Sequence, residues 1–217
     1  MNIEINSANN EKSANAVPSL IDLLNELNAE TEDIKNKFKK IAEELMCNYQ
    51  IVSVSGEKFN IHEIEFYFFN RNHLDTSVHH HNMKAGHWRV HYSGLDITFN
   101  GCTYLNDTCK NKKCVDCKLS SYGGILIRSI GNSESIIIGP LRVQTSLLSG
   151  GSILGSKSLF IEENRGCNNN KVSKPSKRCG VKNANKFEEE DYCYYNENLL
   201  INSLKSDGTT TRVAKKI

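Results

Sequence analysis

The stretch IHEIEFYFF, residues 61–69, decides the fold that this sequence predicts. It is rich in Ile and Phe, which favour β-strands over helices. Because strand side chains alternate between two faces, Ile64 and Phe66 fall on one face, and Glu65 and Tyr67 fall on the other. The pattern therefore predicts a strand that buries one face in a core and carries a carboxylate on the opposite face.

Other stretches of the chain complete the predicted fold. Further strand compositions occur at residues 87–92 (HWRVHY), 95–99 (LDITF), 124–130 (GILIRSI) and 135–138 (SIII). Short turns with Ser-Gly or Gly-Asn separate the members of each pair, as in antiparallel hairpins. Upstream, apolar residues recur at helical spacing over residues 18–48. We predict an α+β fold, a single domain with a curved, mostly antiparallel sheet and an N-terminal helical extension.

Composition divides the chain around this domain. Residues 1–17 are rich in Asn, Ser and Glu and are predicted to be disordered. The helical extension covers 18–48, the α+β domain 49–205, and a loose basic tail 206–217. Hydrophobic residues make up 38% of the chain, which is enough for a core, and the net charge is +2. This charge neither indicates nucleic-acid binding by itself nor excludes a local basic groove.

The cysteines are interpreted from the compartment that the sequence predicts. We see no signal peptide and no apolar run of membrane-spanning length, so we expect an intracellular protein, cytoplasmic or nuclear, with no membrane partner. In a reducing compartment, thiols and metal ligands are more common than disulfides. The spacing C-x6-C-x4-C-x2-C ends in a pair typical of zinc knuckles, and it is formed by Cys102, Cys109, Cys114 and Cys117. Two interpretations stay open, a structural zinc site and four ordinary thiols.

Charged residues interrupt several of the apolar strands. Burying such a charge is costly unless it is paired, so Arg128, inside an Ile/Leu run, is expected to belong to a site or a buried ion pair. For Glu65 and Asp96, composition alone favours neither interpretation, a site residue or an ordinary residue of an exposed sheet face. Three other residues are better interpreted as outward-facing side chains of a half-exposed sheet, namely Glu63, Arg89 and His87.

The histidines are concentrated in one part of the chain. All seven lie between residues 62 and 91, and His79, His80 and His81 form a run. Neutral imidazole is a common metal ligand. The run lies in a predicted loop, and no His-Glu-x-x-His pattern accompanies it. A metal-dependent hydrolase is therefore kept only as a rival hypothesis.

The order of these motifs resembles that of the alkyladenine (3-methyladenine) DNA glycosylases. The similarity spans residues 61–181, and the helices of 18–48 and the Cys-rich loop lie outside it. The matching segments, in chain order, are Glu63-Ile64-Glu65-Phe66-Tyr67, Asp75-x-x-x-His79, Gly86-His87-Trp88-Arg89-Val90, Leu95-Asp96-Ile97, Gly124-Ile125-Leu126-Ile127-Arg128, Gly139-Pro140 and Pro175-Ser176-Lys177-Arg178-Cys179-Gly180-Val181.

This resemblance implies a hydrolase of base-excision DNA repair, which releases a modified or damaged base by cleaving an N-glycosidic bond. Glu65 matches the family's general base, and Arg128 matches the residue that holds the attacking water. Tyr67 matches the aromatic residue that stacks on a flipped base, and His79 the histidine that contacts it. Asp96 stands where the family has Asn, which puts purine discrimination in doubt or adds a charge that stabilises a cationic sugar. Catalysis of this kind needs no cofactor.

The residue types suit this chemistry independently of the resemblance. A carboxylate can stabilise an oxocarbenium-like transition state and activate water. The implied partner is nucleic acid, either duplex DNA or single strands, because the hairpin between Val90 and Asp96 is shorter than the one that carries the family's wedge tyrosine. Two other functions stay open, a non-catalytic nucleic-acid or nucleotide binding module and a nucleosidase acting on free nucleosides or nucleotides.

Overall fold

The computed structural model describes residues 19–101, 121–151, 155, 158–164, 175–178, 187, 190–204 and 210–214. Within these residues lie the helices α1 (Leu20–Asn25), α2 (Ile34–Asn48) and α3 (Pro140–Leu148). The strands are β1 (Tyr49–Val52), β2 (Lys58–Asn70), β3 (His73–Leu74), β4 (Trp88–His91), β5 (Gly94–Thr98), β6 (Tyr122–Gly131), β7 (Ile136–Ile138), β8 (Phe160–Glu163), β9 (Cys193–Tyr195), β10 (Leu200–Leu204) and β11 (Thr210–Ala214). The predicted disorder of residues 1–17 and the predicted zinc loop at Cys102, Cys109, Cys114 and Cys117 lie outside the described residues.

A large antiparallel sheet organises the fold. Its strands lie in the order β4-β5-β6-β2-β1-β8, while β3 and β9 also pair with β2, and β7 pairs with β6. The central pairing of β2 with β6 shifts register twice between Ile61 and Ile64. Such irregularities bend a strand and increase its twist, and the sheet curls strongly into a half-barrel. The predicted α+β class with a curved antiparallel sheet is therefore confirmed.

One face of β2 packs against α2 through aromatic side chains. The rings of Phe38 and Phe66 are stacked with their centroids 4.3 Å apart. Phe68 and Phe99 also contact Phe38, and all four side chains are fully buried. Burying one such ring contributes about 1.5–3 kcal/mol to folding. Helices α1 and α2 thus share the core of the sheet, so the predicted helical extension is an integral part of the domain.

Local sequence signals explain where two helices begin. Ser19 and Asp22 form a capping box at α1, each side chain accepting a hydrogen bond from the other residue's backbone N–H. Pro140 occupies the first turn of α3, and Gly139 before it has φ +103°, which a residue with a Cβ rarely adopts. Helix α3 packs on β5 and β6. None of the described helices combines the length and the apolar character that crossing a membrane requires.

The opposite face of the sheet carries the charged residues. Strand register aligns one row of side chains across β4, β5, β6, β2 and β9, namely Arg89, Asp96, Leu126, Glu65 and Cys193. In the next row, Tyr67 lies directly opposite Gly124, which has no side chain to fill the space beside the ring. Charges that are distant along the chain are thereby brought to one surface of the sheet.

The C-terminal residues contribute to this surface. Strands β10 and β11 pair as an antiparallel hairpin, and Arg212 on β11 is only 5% exposed. The prediction of a loose basic tail over 206–217 is therefore wrong for Thr210–Ala214. The reason is that Arg212, although basic, pairs with the buried carboxylate of Glu63.

Candidate functional site

Glu65 and Arg128 meet as an ion pair beneath the charged face of the sheet. Arg128 Nη1 lies 3.1 Å from Glu65 Oε2, and the Glu65 side chain is fully buried. The other carboxylate oxygen accepts a hydrogen bond from the Tyr67 hydroxyl. Both oxygens of Glu65 therefore have donors, which is what a buried carboxylate requires. The expectation that Arg128 belongs to a site or a buried ion pair is confirmed.

The Tyr67 hydroxyl acts as a proton donor in this cluster. Burial is the main reason why the pKa of Tyr67 lies well above its usual range, and the negative charge of Glu65 raises that pKa further. A phenol in this setting keeps its proton at any physiological pH. Tyr67 therefore orients Glu65 by hydrogen bonding and does not itself act as a base.

Glu63 extends the cluster to the C-terminal hairpin. Its side chain is 1% exposed, and its Oε1 lies 3.2 Å from Arg212 Nε and 3.6 Å from Arg128 Nε. The charges therefore alternate along the series Arg212, Glu63, Arg128 and Glu65. The interpretation of Glu63 as an outward-facing residue is wrong, because β11 brings the Arg212 guanidinium onto the face of β2 that the local pattern left open.

Arg212 is held by several groups besides Glu63. Its Nη2 donates to Ser176 Oγ at 3.0 Å, and its guanidinium carbon lies 3.6 Å from the centroid of the Tyr195 ring. The Cys193 thiol donates to Glu63 Oε1 at 3.4 Å, and burial together with the neighbouring carboxylates holds the pKa of this thiol well above its usual range. Cys193 is thus a neutral donor within the network.

Replacing Arg212 by Met is expected to loosen the hairpin formed by β10 and β11. The change removes the nearest cation of the buried Glu63 and leaves Arg128, 3.6 Å away, as the remaining one. The destabilisation should therefore be smaller than the roughly 3–5 kcal/mol expected for a fully uncompensated buried charge. Hydrogen exchange followed by mass spectrometry should then show faster exchange in β10 and β11, with partial protection restored in Arg212→Lys. Unchanged exchange in the Met variant would show that the ion pair does not hold the hairpin.

A cavity of about 320 Å³ opens beside this cluster. Its lining includes the three residues that were predicted to bind substrate, Tyr67, His79 and Asp96. Glu65 and Arg128 do not line the cavity. They lie behind it, beyond Tyr67, whose ring faces the cavity while its hydroxyl contacts Glu65. The cavity and the ion pair are thus joined through one aromatic side chain.

Two basic side chains lie near one carboxylate oxygen of Asp96 in this cavity. Its Oδ2 lies 3.0 Å from His91 Nε2 and 3.9 Å from Arg89 Nη1. Both His91 and Arg89 line the cavity. The interpretation of Arg89 as an ordinary outward-facing residue is therefore wrong, since the register of β4 on β5 places it directly opposite Asp96. His87 is exposed, as predicted.

A second buried ion pair supports Tyr67 from behind. Arg178 Nη1 lies 2.6 Å from Asp75 Oδ2, and both side chains are fully buried. The Arg178 guanidinium also lies 5.0 Å from the centroid of the Tyr67 ring and donates to the Phe187 carbonyl at 2.6 Å. Both residues belong to segments of the family resemblance, but no local pattern assigned them to each other, because they are far apart in sequence.

The three consecutive histidines have different partners. His79 Nε2 lies 3.0 Å from the Tyr92 hydroxyl, the His80 ring packs edge-on against Tyr122, and His81 Nε2 lies 2.8 Å from the Gly123 carbonyl oxygen. Among the residues that the structure describes, no group of three or more His, Cys, Asp or Glu side chains is placed to hold a metal ion. Of the three, His79 is the one that lines the cavity.

Comparison with known proteins shows sequence similarity to a viral protein. No protein-family profile matches the sequence. The chain is 34% identical over 126 residues to an uncharacterized protein of Acanthamoeba polyphaga mimivirus, and the aligned region covers 51% of this chain and 56% of that protein. This chain is therefore similar to a viral protein, and it spans about half the length of that relative.

Proposed function

We propose that this protein is a DNA glycosylase-like hydrolase, which cleaves an N-glycosidic bond to release a modified or damaged base. The observation that carries the proposal is the ion pair between the fully buried Glu65 and the partly exposed Arg128, 3.1 Å apart, behind a cavity that Tyr67 lines. A carboxylate, a guanidinium and an aromatic ring are the groups that this reaction requires. The match of these three residues to the alkyladenine DNA glycosylases supports the same activity.

In the proposed reaction, Glu65 takes a proton from water as its oxygen bonds to the anomeric carbon, and the base leaves with the electron pair of the broken C–N bond. The negative charge of Glu65 also stabilises the positive charge that develops on the sugar. Arg128 orients the water through its contact with the same carboxylate. The Tyr67 hydroxyl occupies one oxygen of Glu65 in this structure. Water would take the place of that hydroxyl when a base stacks on the Tyr67 ring.

The cavity has the size expected for one flipped nucleotide. Its volume of about 320 Å³ lies at the small end of the range of ligand sites, roughly 300–1,000 Å³. Base-modifying enzymes receive a flipped base between aromatic or apolar side chains. Tyr67 offers such a surface, and His79 lies on the cavity wall to contact the bound base.

An exposed aromatic residue lies at the edge of this cavity. Tyr92, just after β4, lines the cavity and is 76% exposed, and Val90 nearby is 55% exposed. Single exposed apolar residues are common, but these two lie beside the proposed base site. On a duplex they would fill the gap left by the flipped nucleotide. The proposed substrate is therefore a DNA polymer inside the cell, either duplex or single-stranded.

One observation favours a second candidate function, a non-catalytic nucleic-acid or nucleotide binding module. Glu65 is fully buried, and both of its oxygens already contact protein donors. A carboxylate held in this way could be purely structural, in which case the cavity binds a nucleotide without cleaving it. This candidate predicts binding of oligonucleotides without release of any base.

A base-release assay tests the proposal. The purified full chain is incubated with duplex and single-stranded DNA carrying alkylated or deaminated bases, and with free nucleosides, and released bases are measured by mass spectrometry. We expect release from at least one modified DNA. Release from free nucleosides alone would identify a nucleosidase, and oligonucleotide binding without release would identify the binding module.

A further inference from the structure

We infer that the cavity selects bases that carry an exocyclic amino group, because such a group can donate a hydrogen bond to Asp96. This inference rests on the proposed function, since it assumes that the cavity receives a nucleobase. It concerns the choice of base, which neither the ion pair of Glu65 and Arg128 nor the stacking surface of Tyr67 explains.

Asp96 is a buried carboxylate with one oxygen that has no hydrogen-bond partner. The residue is 8% exposed and lines the cavity. Its Oδ2 is the oxygen that lies 3.0 Å from His91 and 3.9 Å from Arg89. Within the described part of the chain, no hydrogen bond reaches Oδ1, which is itself buried. Buried polar atoms without a partner are uncommon in proteins and call for an explanation, of which a bound ligand is one.

Two basic side chains lie near Oδ2, the other oxygen of Asp96. His91 Nε2 lies 3.0 Å from Oδ2 without the geometry of a hydrogen bond, and its Nδ1 accepts a hydrogen bond from the backbone N–H of Ser93 at 3.3 Å. Arg89 approaches the same oxygen. An ionised Asp side chain has no proton to donate, so Oδ1 can only accept hydrogen bonds.

Close packing of the neighbouring strand restricts the position of the Asp96 Cβ. The backbone of Gly124 lies directly against it, and a Cβ added to that glycine would be 3.3 Å from the Asp96 Cβ and 2.9 Å from the Ile97 carbonyl oxygen. Antiparallel pairing with both Arg89 and Leu126 fixes the backbone on either side. The backbone and Cβ of Asp96 are therefore held beside the cavity by the strands on either side.

A fixed acceptor discriminates between bases by their hydrogen-bonding edge. An amino group donates to Asp96, whereas a carbonyl oxygen at the same place repels it and leaves the carboxylate without a partner. Sites built around a buried polar group reject ligands that lack the complementary group more strongly than apolar pockets reject an extra methylene. A hydrogen bond to a charged group is worth about 1.5–3 kcal/mol, so we expect a preference of roughly 10- to 100-fold.

Binding of free bases tests this inference without requiring bond cleavage. Adenine is compared with hypoxanthine and with unsubstituted purine, and cytosine with uracil, by NMR titration of the full chain. We expect adenine and cytosine to bind at least tenfold more tightly than their partners. In Asp96→Asn, whose amide both donates and accepts, the preference should fall below threefold. In Asp33→Asn, which removes an exposed carboxylate before α2, the preference should be unchanged.

The outcomes separate this inference from the function on which it rests. Equal affinity for amino and oxo bases would overturn the selection by Asp96 while leaving a base site in place. A preference that persists in Asp96→Asn would also overturn it. If none of the bases binds at millimolar concentration, the cavity is not a base site, and both proposals fail.

Discussion

Replacing Glu65 by Gln is expected to lower the rate of base release by roughly 10²–10⁴-fold, the range for losing a general base. The amide has nearly the same shape as the carboxylate, but it neither accepts the proton of the attacking water nor stabilises a positive sugar. Its amide oxygen would still accept a hydrogen bond from Arg128, and its NH2 group could donate to the Tyr67 hydroxyl oxygen, so both neighbours seen in the structure keep a partner. The loss should therefore fall on the chemical step.

Single-turnover release, measured at saturating enzyme on the best substrate of the base-release assay, isolates that step. Oligonucleotide affinity, measured in parallel, should change by less than about threefold, because the substitution alters the cavity wall only behind Tyr67. Glu57→Gln is a matched control, since Glu57 is an exposed carboxylate just before β2. It should keep the wild-type rate. A Glu65→Gln variant that also kept this rate would exclude Glu65 as the base.

Replacing Arg178 by Met is expected to lower the free energy of unfolding by about 3–5 kcal/mol, as for other broken buried ion pairs. The substitution leaves Asp75 fully buried without the guanidinium that lies 2.6 Å away, and it removes the donor to the Phe187 carbonyl. Such a loss is a large part of the total stability of a domain of this size. Tyr67 would also lose the guanidinium behind its ring.

Urea unfolding, followed by circular dichroism, measures this effect. Lys177→Met is the matched control, because Lys177 is the exposed neighbour of Arg178, and surface substitutions usually change stability by less than about 0.5 kcal/mol. In the double variant Asp75→Leu, Arg178→Met, part of the stability should return, since neither charge is then left alone. If Arg178→Met unfolds at the wild-type urea concentration, the pair contributes nothing to stability.

Patterns within single strands predicted much of this fold. The period-two alternation along β2 predicted that Phe66 would face the core and that Glu65 and Tyr67 would share the other face, and the structure agrees. The expectation that Arg128 has a buried partner rested on the high cost of an isolated charge inside an apolar strand. Both inferences succeed because they use properties of a single strand. These are the alternation of its side chains between two faces and the cost of placing a charge among apolar neighbours.

The same reasoning failed for Glu63 and Arg89, which a half-exposed sheet would have left at the surface. Glu63 is buried because Arg212 approaches it from β11, and Arg89 faces Asp96 because of the register between β4 and β5. The partnership of Arg178 with Asp75 was equally hidden from local patterns. Each depends on segments that are adjacent only after the chain has folded.

The sequence by itself determined the strands β2, β4, β5, β6 and β7, the alternation of faces along β2, and the candidate residues Glu65, Arg128 and Tyr67. Only the tertiary structure decided which charges are partners, how the cavity is walled by Asp96, and that Glu65 lies behind Tyr67 rather than on the cavity surface. The physical reason is that the face of a side chain follows from the backbone geometry of its own strand, whereas an ion pair requires two distant segments to be brought together by strand register and chain closure.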